Sequence, residues 1–357
     1  MPHYNVALLG FGNVGQSLAT LLHKKQPYLA SKYGITFTIT GIATGKHGIA
    51  INQGGVDVEQ AINMLNNEPN RKLDEISEVS LNDEITKFID LCRADVLFEN
   101  TPVNYVSGQP AFNYIRQALE SGIHVVTANK GPVVHGFQML TEIAQKNGVC
   151  FYFESAVMDG APIFSLFRET LPTARILSFQ GILNSTTNMI LTRMEFGESF
   201  EKAIQYTQAI GIAETDPSGD IDGWDAAVKV SALVTVLMGV PIKPVDVNRI
   251  GIRDISLEKV RDALEKGERW KLICAAERVD DRVVTQVKPV RVTSESPFYE
   301  ITGTSSILQF KTDVLGKLSI IEQDPGPETT AYGCLADFVN AVTNQQNRLV
   351  FPKPNSN

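Results

Sequence analysis

Asn5-Val-Ala-Leu-Leu-Gly-Phe-Gly-Asn-Val-Gly15 decides the fold class. A short apolar run leads into Gly10-Phe11-Gly12-Asn13-Val14-Gly15, and a helical pattern follows through Leu18, Leu21 and Leu22. Strand, glycine turn and helix in that order are what a dinucleotide-binding fold demands. Gly10 allows the tight turn, Gly12 lets the backbone approach a pyrophosphate at the helix N-terminus, and Gly15 lets helix and strand pack closely. A second strand, 35–42, ends in Ala43-Thr44-Gly45-Lys46-His47. NAD-preferring sites place an acid here for the ribose 2′-hydroxyl. None is present, and Thr44, Lys46 and His47 suit a 2′-phosphate, so NADP is the expected cofactor, with NAD the alternative.

Further units repeat the α/β pattern. Helix 83–92 precedes strand 95–99, which ends in Asn100-Thr101-Pro102. Helix 109–121 precedes strand 123–127, which ends in Ala128-Asn129-Lys130. Ligands of parallel α/β sheets bind outside the carboxyl ends of the strands, which singles out Asn100, Thr101 and Lys130. Lys130 is expected to open a loop, followed by helix 137–146 and strand 149–153. Residues 52–80, with a helix over 56–66, form an excursion without assigned chemistry.

The second concentration of chemistry is Ala213 to Lys229, with five carboxylates and one lysine in seventeen residues. Asp225 and Lys229 are four apart and share a face of any helix they occupy. Apolar neighbours (Ala226, Ala227, Val228, Val230, Leu233) predict burial. Opposed pressures from burial and an adjacent carboxylate suit a lysine to base chemistry near neutral pH, and an ordinary salt bridge is the alternative.

The remaining chain reads as helices over 161–169, 188–195, 200–209, 222–237 and 329–343, with strands over 175–182, 270–278, 283–292 and 307–312. This mixture, without a second nucleotide fingerprint, predicts a separate α+β domain.

Composition limits the function classes. The 357 residues, 43% of them hydrophobic, are enough for two domains. A net charge of −8 without a basic run argues against nucleic-acid and anionic-membrane surfaces. Cys92, Cys150, Cys274 and Cys334 lie far apart, as expected of free thiols in a reducing compartment. No apolar run reaches the ~18 residues of a membrane span, and no signal peptide is discerned, so the cytoplasm is expected. The tail beyond Pro352 is polar and expected to be disordered.

Five segments in register resemble the homoserine dehydrogenase family: Gly10 to Gly15, Val125-Val-Thr-Ala-Asn-Lys130, Glu154-Ser-Ala-Val157, Gly181-Ile-Leu-Asn-Ser-Thr-Thr-Asn188 and Glu214 to Lys229. Gly326 and Thr330-Ala331 extend the match nearly to the end. The resemblance implies a Rossmann-type doubly wound parallel sheet (1–155 and 315–357) and an α+β substrate and dimerisation domain (156–314). It also implies NAD(P)-dependent interconversion of L-homoserine and L-aspartate 4-semialdehyde in threonine and methionine biosynthesis, by a cytoplasmic homodimer. The chain resembles a short form without an aspartokinase module or ACT domain.

Carried over, Lys229 resembles the family's catalytic lysine, oriented by Asp225, and Lys130 the second lysine of the site, between cofactor and substrate. Glu214 and Asp220 match the acids near the substrate's amino group, and Ser185 and Thr186 the substrate loop. Gly10 to Gly15, Thr44, Lys46, Asn100, Thr101, Lys130, Gly326 and Thr330 are the expected cofactor residues. Glu154, Val157, Asp159 and Ala161 match positions that hold a monovalent cation (Na or K) in some members, mostly through backbone carbonyls.

The chain departs from the family pattern at three places. Asn184-Ser185-Thr186 stands for Asn-Gly-Thr, Met158-Asp159-Gly160-Ala161 for a glycine-rich segment, and Asp324-Pro325-Gly326 for Gly-Ala-Gly. Ser185 and Asp159 leave open a different small amino or hydroxy acid as substrate. The fold alone leaves open a non-catalytic nucleotide-binding protein.

Overall fold

A computed structural model describes residues 1–67, 71–81 and 84–343. The described residues divide into two compact units, one of Met1–Pro162 together with 326–343, the other beginning at Ile163 and reaching Pro325. The first contains β1 (His3–Leu9), α1 (Asn13–Tyr33), β2 (Thr36–Ala43), β3 (Ile49–Ile51), α2 (Val58–Asn67), α3 (Ile85–Leu91), β4 (Val96–Glu99), α4 (Ala111–Glu120), β5 (His124–Thr127), α5 (Lys130–Asn147) and β6 (Phe151–Tyr152). Its sheet runs β3-β2-β1-β4-β5-β6. All neighbours are parallel except β3, which pairs antiparallel with β2 at the edge. The order turns back at β1, so the connections after the parallel strands β1 and β4 run to opposite sides and open a crevice at their carboxyl ends. Continuous apolar runs such as Val6–Leu9 and Val96–Phe98 are fully or almost fully buried, as strands covered on both faces must be.

The second unit contains β7 (Ile176–Ile182), α6 (Ser185–Glu195), α7 (Phe200–Ala209), α8 (Ser218–Ile221), α9 (Trp224–Leu237), β8 (Asn248–Arg249), α10 (Leu257–Glu265), β9 (Glu268–Val279), β10 (Arg282–Thr293), β11 (Ser306–Thr312) and β12 (Lys317–Glu322). Its sheet runs β12-β11-β7-β9-β10-β8. It is antiparallel apart from the short β8, which runs parallel to β10. The last described helix, α11 (Pro327–Thr343), belongs to the first unit. Its Ala331, Cys334, Leu335 and Phe338 share one core with Val6, Leu8 and Phe98. Phe338 meets Tyr4, Phe37 and Phe98 edge-on, with ring centroids 6.2, 6.0 and 5.9 Å away.

Several elements differ from the sequence reading. Pairing of β12 with β11 keeps residues 317–322 in the second sheet, so the chain re-enters the first unit at Gly326, not at 315. The first crossing falls after Pro162, not after 155. Helix 161–169 is replaced by a later start at Phe164 and a π-helical turn, Leu166–Thr170. Pro162 disfavours helical backbone at Ala161 and offers no N–H. Helix 222–237 begins two residues later, as α9, because Gly223, left-handed at φ 77°, is its N-cap and separates it from the short α8. The segment around Lys130 is not a loop, because α5 begins at Lys130 with the Asn129 side chain accepting from Gly131 N. Pro132 is tolerated there because first-turn N–H groups have no helical partner. The expected tail beyond Pro352 lies outside the described residues.

Candidate active site

The glycine turn is built by contact. Gly10 has φ +93°, and a Cβ there would stand 2.4 Å from the backbone C and O of Asn100. A Cβ on Gly15 would stand 2.4 Å from Gly10 O. These two glycines let β1, β4 and α1 close on one another. Gly12 differs: a Cβ there would meet nothing within 4 Å. Gly12 is also the N-cap of α1 and caps no N–H with a side chain. An open backbone at the positive end of a 21-residue helix is an anion cradle. Beside it the Asn100 side-chain nitrogen is buried and donates to no protein group. The residues present therefore fit a dinucleotide phosphate. Phe11 is buried in the core, while Asn13 is exposed and Val14 half-buried at the start of α1.

Other expected cofactor residues are engaged in ways the sequence did not show. The Thr101 hydroxyl donates to Glu99 Oε1, which also accepts from Thr101 N at 2.9 Å. Glu99 Oε2 accepts from Thr127 Oγ1 at 2.8 Å, and Thr127 Oγ1 accepts from Asn129 N at 2.9 Å. Asn129 Nδ2 reaches Thr101 O at 3.2 Å. Glu99 thus ties the ends of β4 and β5 together and sets the entry to α5, where Lys130 is half-buried. Glu99 is fully buried, and desolvation raises its pKa against the lowering effect of these donors. The Thr44 hydroxyl closes its own turn, donating to Gly48 O at 3.2 Å and accepting from His47 N at 2.8 Å. Lys46 is exposed beside it.

Near the end of the first unit, Asp159 Oδ1 accepts from Thr330 Oγ1 at 2.7 Å, joining the segment after Glu154 to α11. Gly326 N donates to Thr329 Oγ1 at 3.1 Å. Glu154, Val157 and Ala161 are buried, and Glu154 N donates to Asp337 Oδ2 at 2.7 Å. Among the described residues no group of three or more His, Cys, Asp or Glu side chains is placed to hold a metal.

The second unit gathers the acid–lysine group. Lys229 Nζ donates to Leu183 O at 2.6 Å and lies 3.4 Å from Asp225 Oδ2. Asn184 Nδ2 donates to Asp220 Oδ1 at 2.6 Å and to Asp225 Oδ2 at 3.0 Å. Its Oδ1 accepts from Thr187 N and Thr187 Oγ1, both at 2.8 Å, and so caps α6. Burial first, then the neighbouring Asp225, raises the pKa of Asp220; Asn184, Thr186 and Lys229 work in the other direction. The left-handed Gly223 makes this possible by turning the chain between Asp220 and the helix that carries Asp225 and Lys229.

Two expected substrate residues sit otherwise. Glu214 is exposed, and its backbone carbonyl accepts from Gln208 Nε2 at 3.2 Å. Ser185 turns its hydroxyl to Thr304 O at 3.0 Å. Thr186 is buried and reaches Ile212 O at 3.5 Å. The sequence reading assigned no role to Glu99, Thr127, Asn129 or Asn184. The signal for Asn184 was an N-cap residue directly before a helix, and for Glu99 an acid closing a wholly apolar strand.

Comparison with known proteins identifies the family. Residues 10–154 match the model of the homoserine dehydrogenase NAD-binding domain, and residues 162–339 the model of homoserine dehydrogenase. An NAD(+)-dependent homoserine dehydrogenase from Pseudomonas canavaninivorans is 34% identical over 348 residues, covering 95% of this chain and 96% of the relative. A homoserine dehydrogenase from Methanocaldococcus jannaschii is 36% identical over 343 residues, covering 94% and 98%. The solved structure of a hyperthermophilic archaeal homoserine dehydrogenase in complex with NADPH superposes with a TM-score of 0.81 at 26% identity, covering 99% of this chain and all of that one. Together with the glycine turn and the acid–lysine group, these matches place the chain in the homoserine dehydrogenase family, NAD(P)-dependent oxidoreductases acting on a small-molecule substrate.

Proposed function

We propose that Lys229 is the acid/base of this homoserine dehydrogenase and that Asp225, Asp220 and Asn184 form its working environment. The observation that carries the reading is the single bonded group in which Asn184 joins both carboxylates and Asp225 faces the lysine. In the oxidative direction Lys229 takes the hydroxyl proton of homoserine, and in the reductive direction it returns it. Asp225, 3.4 Å away, stabilises the ammonium so formed. Asp220 and Glu214 balance the substrate's own ammonium, because a buried charge needs a partner. Thr186 and Ser185 present the first turn of α6 to the substrate. Lys130, at the head of α5, is the second lysine carried over from the family resemblance.

The backbone of Gly10 to Gly15 holds the pyrophosphate on α1, and Asn100 Nδ2 supplies a buried donor. Thr101, Gly326 and Thr330 complete the cofactor's surroundings. A nicotinamide cofactor held there would supply the hydride acceptor or donor. The absence of an acid after β2, with Thr44 and Lys46 in its place, supports NADP over NAD. The second sheet forms the subunit contact of a homodimer. A monovalent cation is held by backbone carbonyls near Glu154, Val157, Asp159 and Ala161, Asp159 being already bonded to Thr330.

Steady-state oxidation of L-homoserine with NADP and with NAD, run for the wild type and Lys229→Ala, tests the assignment. Near-wild-type turnover of Lys229→Ala overturns the role of the lysine. A higher kcat/KM with NAD overturns the cofactor choice.

A further inference from the structure

Lys271 takes no part in the chemistry above, yet its side chain is fully buried in the second unit. It lies on β9 opposite Val290 of β10. Taking an ammonium out of water is costly unless it is paired and hydrogen-bonded, and an apolar side chain of similar volume is often the more stable choice. Burial pulls the Lys271 ammonium down to about 8. Arg269 on its own strand acts in the same direction, while Glu195 on α6 and Glu300 ahead of the next segment oppose it.

What Lys271 holds is specific. Its Nζ donates to Ile301 O at 2.6 Å and to Asn188 Oδ1 at 3.4 Å. Ile301 opens the segment Ile301-Thr-Gly-Thr-Ser305, which forms neither helix nor strand. Asn188 Nδ2 donates to Gly303 O at 3.1 Å and Ser305 O at 3.2 Å, and Ser185 Oγ donates to Thr304 O at 3.0 Å. Gly303 N donates to Thr192 Oγ1 at 3.1 Å. Ser185, Asn188 and Thr192 follow the i, i+3, i+7 spacing of one helical face. The segment is therefore fastened along α6 by side chains, and Lys271 secures its start while gripping the central fastener, Asn188. The same helix begins with the turn that carries Ser185 and Thr186, and Thr186 helps hold down the raised pKa of Asp220.

We propose that Lys271 is a positioning residue for the substrate: it fixes residues 301–305 against α6 and so sets the placement of Ser185 and Thr186 at the homoserine subsite. The inference rests on the assignment of those two residues to the substrate. A neutral Lys271 still donates hydrogen bonds but loses the charge that strengthens them, so the fastening slackens as the amine deprotonates.

The test is steady-state kinetics of the intact enzyme across pH 8, with NADPH affinity by fluorescence titration and Tm for each variant. Lys271→Met is expected to raise the homoserine KM about tenfold while NADPH affinity stays within about twofold. In the wild type the homoserine KM rises as pH passes about 8; in Lys271→Met that step is absent. Lys271→Arg recovers much of the affinity without the step, because a guanidinium does not titrate there. An unchanged homoserine KM in Lys271→Met overturns the proposal, as does a parallel loss of homoserine and NADPH affinity with falling Tm. Should Lys271→Met not fold, Asn188→Ser cuts the same connection, and an unchanged homoserine KM there is equally decisive. An unchanged homoserine KM in Thr186→Ala overturns the subsite assignment itself, and the proposal with it.

Discussion

The side-chain nitrogen of Asn184 lies 2.6 Å from Oδ1 of Asp220, and the same nitrogen reaches Asp225 Oδ2 at 3.0 Å. Two acids that would repel one another are thus held by one neutral amide, whose oxygen meanwhile caps α6. Asn184→Ala removes the cap, about 1 kcal/mol, and takes one donor from each of two carboxylates, about 1–3 kcal/mol more. The variant is expected to melt several degrees lower, with kcat reduced roughly tenfold or more. Differential scanning calorimetry and homoserine kinetics check both. A full-rate Asn184→Ala would falsify the positioning role.

Asp220 carries a cost that its function explains. Its pKa is raised in the fold, chiefly by burial. The fold therefore binds this proton more tightly than the unfolded chain does. The associated stabilisation is complete below the unfolded pKa and is lost as pH rises through the folded value. Asp220→Asn should accordingly raise Tm at neutral pH, and this gain should vanish in acid. The same variant should raise the homoserine KM, since the substrate ammonium loses its counter-charge. In the wild type that KM should climb as pH falls through a value above the ordinary carboxylate range. Equal Tm for both proteins at neutral pH counts against the argument.

Lys229→Ala is expected to lower kcat about 10²–10⁴-fold, the usual contribution of general acid–base assistance. Binding of NADPH, measured by fluorescence, should be retained because the glycine turn lies in the other unit.

The glycine turn separates packing from binding. Gly10→Ala forces a Cβ to within 2.4 Å of Asn100 backbone atoms at φ +93°, so it should lower Tm whether or not cofactor is present. Gly12→Val meets no protein atom at its Cβ. It should leave Tm of the unliganded protein within a few degrees yet weaken NADPH binding at least tenfold, because backbone approach to the phosphate is blocked.

Lys46 is exposed at the end of β2 and lacks a structural duty. Lys46→Ala should raise the KM for NADP by roughly tenfold and leave that for NAD nearly unchanged, as expected of a charge-assisted phosphate contact. Equal effects on both cofactors would remove it from the 2′-phosphate site.

The sequence was most readable where a motif is contiguous. Gly10, Gly12 and Gly15 could be assigned three different duties because strand, turn and helix follow without a gap. Asp225 and Lys229 could be placed on one face by their spacing alone. Partners distant in the chain were not readable. Ser185 stood out as a departure near the substrate, but its hydroxyl is taken by Thr304, 119 residues later. Thr101 was read as a ligand contact, and its hydroxyl serves Glu99, the buried acid at the close of an apolar strand that the sequence reading passed over. Lys130 was put in a loop because Gly131-Pro132 hides a helix start. β12 was missed because an edge strand whose residues alternate between exposed and half-buried lacks a strong apolar run.

Phe338 sits among Tyr4, Phe37 and Phe98, residues made some three hundred positions earlier. A ribosome must therefore release nearly the whole chain before the nucleotide-binding half can close its core. Until α11 is made, Tyr4, Phe37 and Phe98 lack the ring that packs against all three. Nascent chains arrested just before Pro327 should remain protease-sensitive throughout residues 1–162 and become resistant once α11 has emerged.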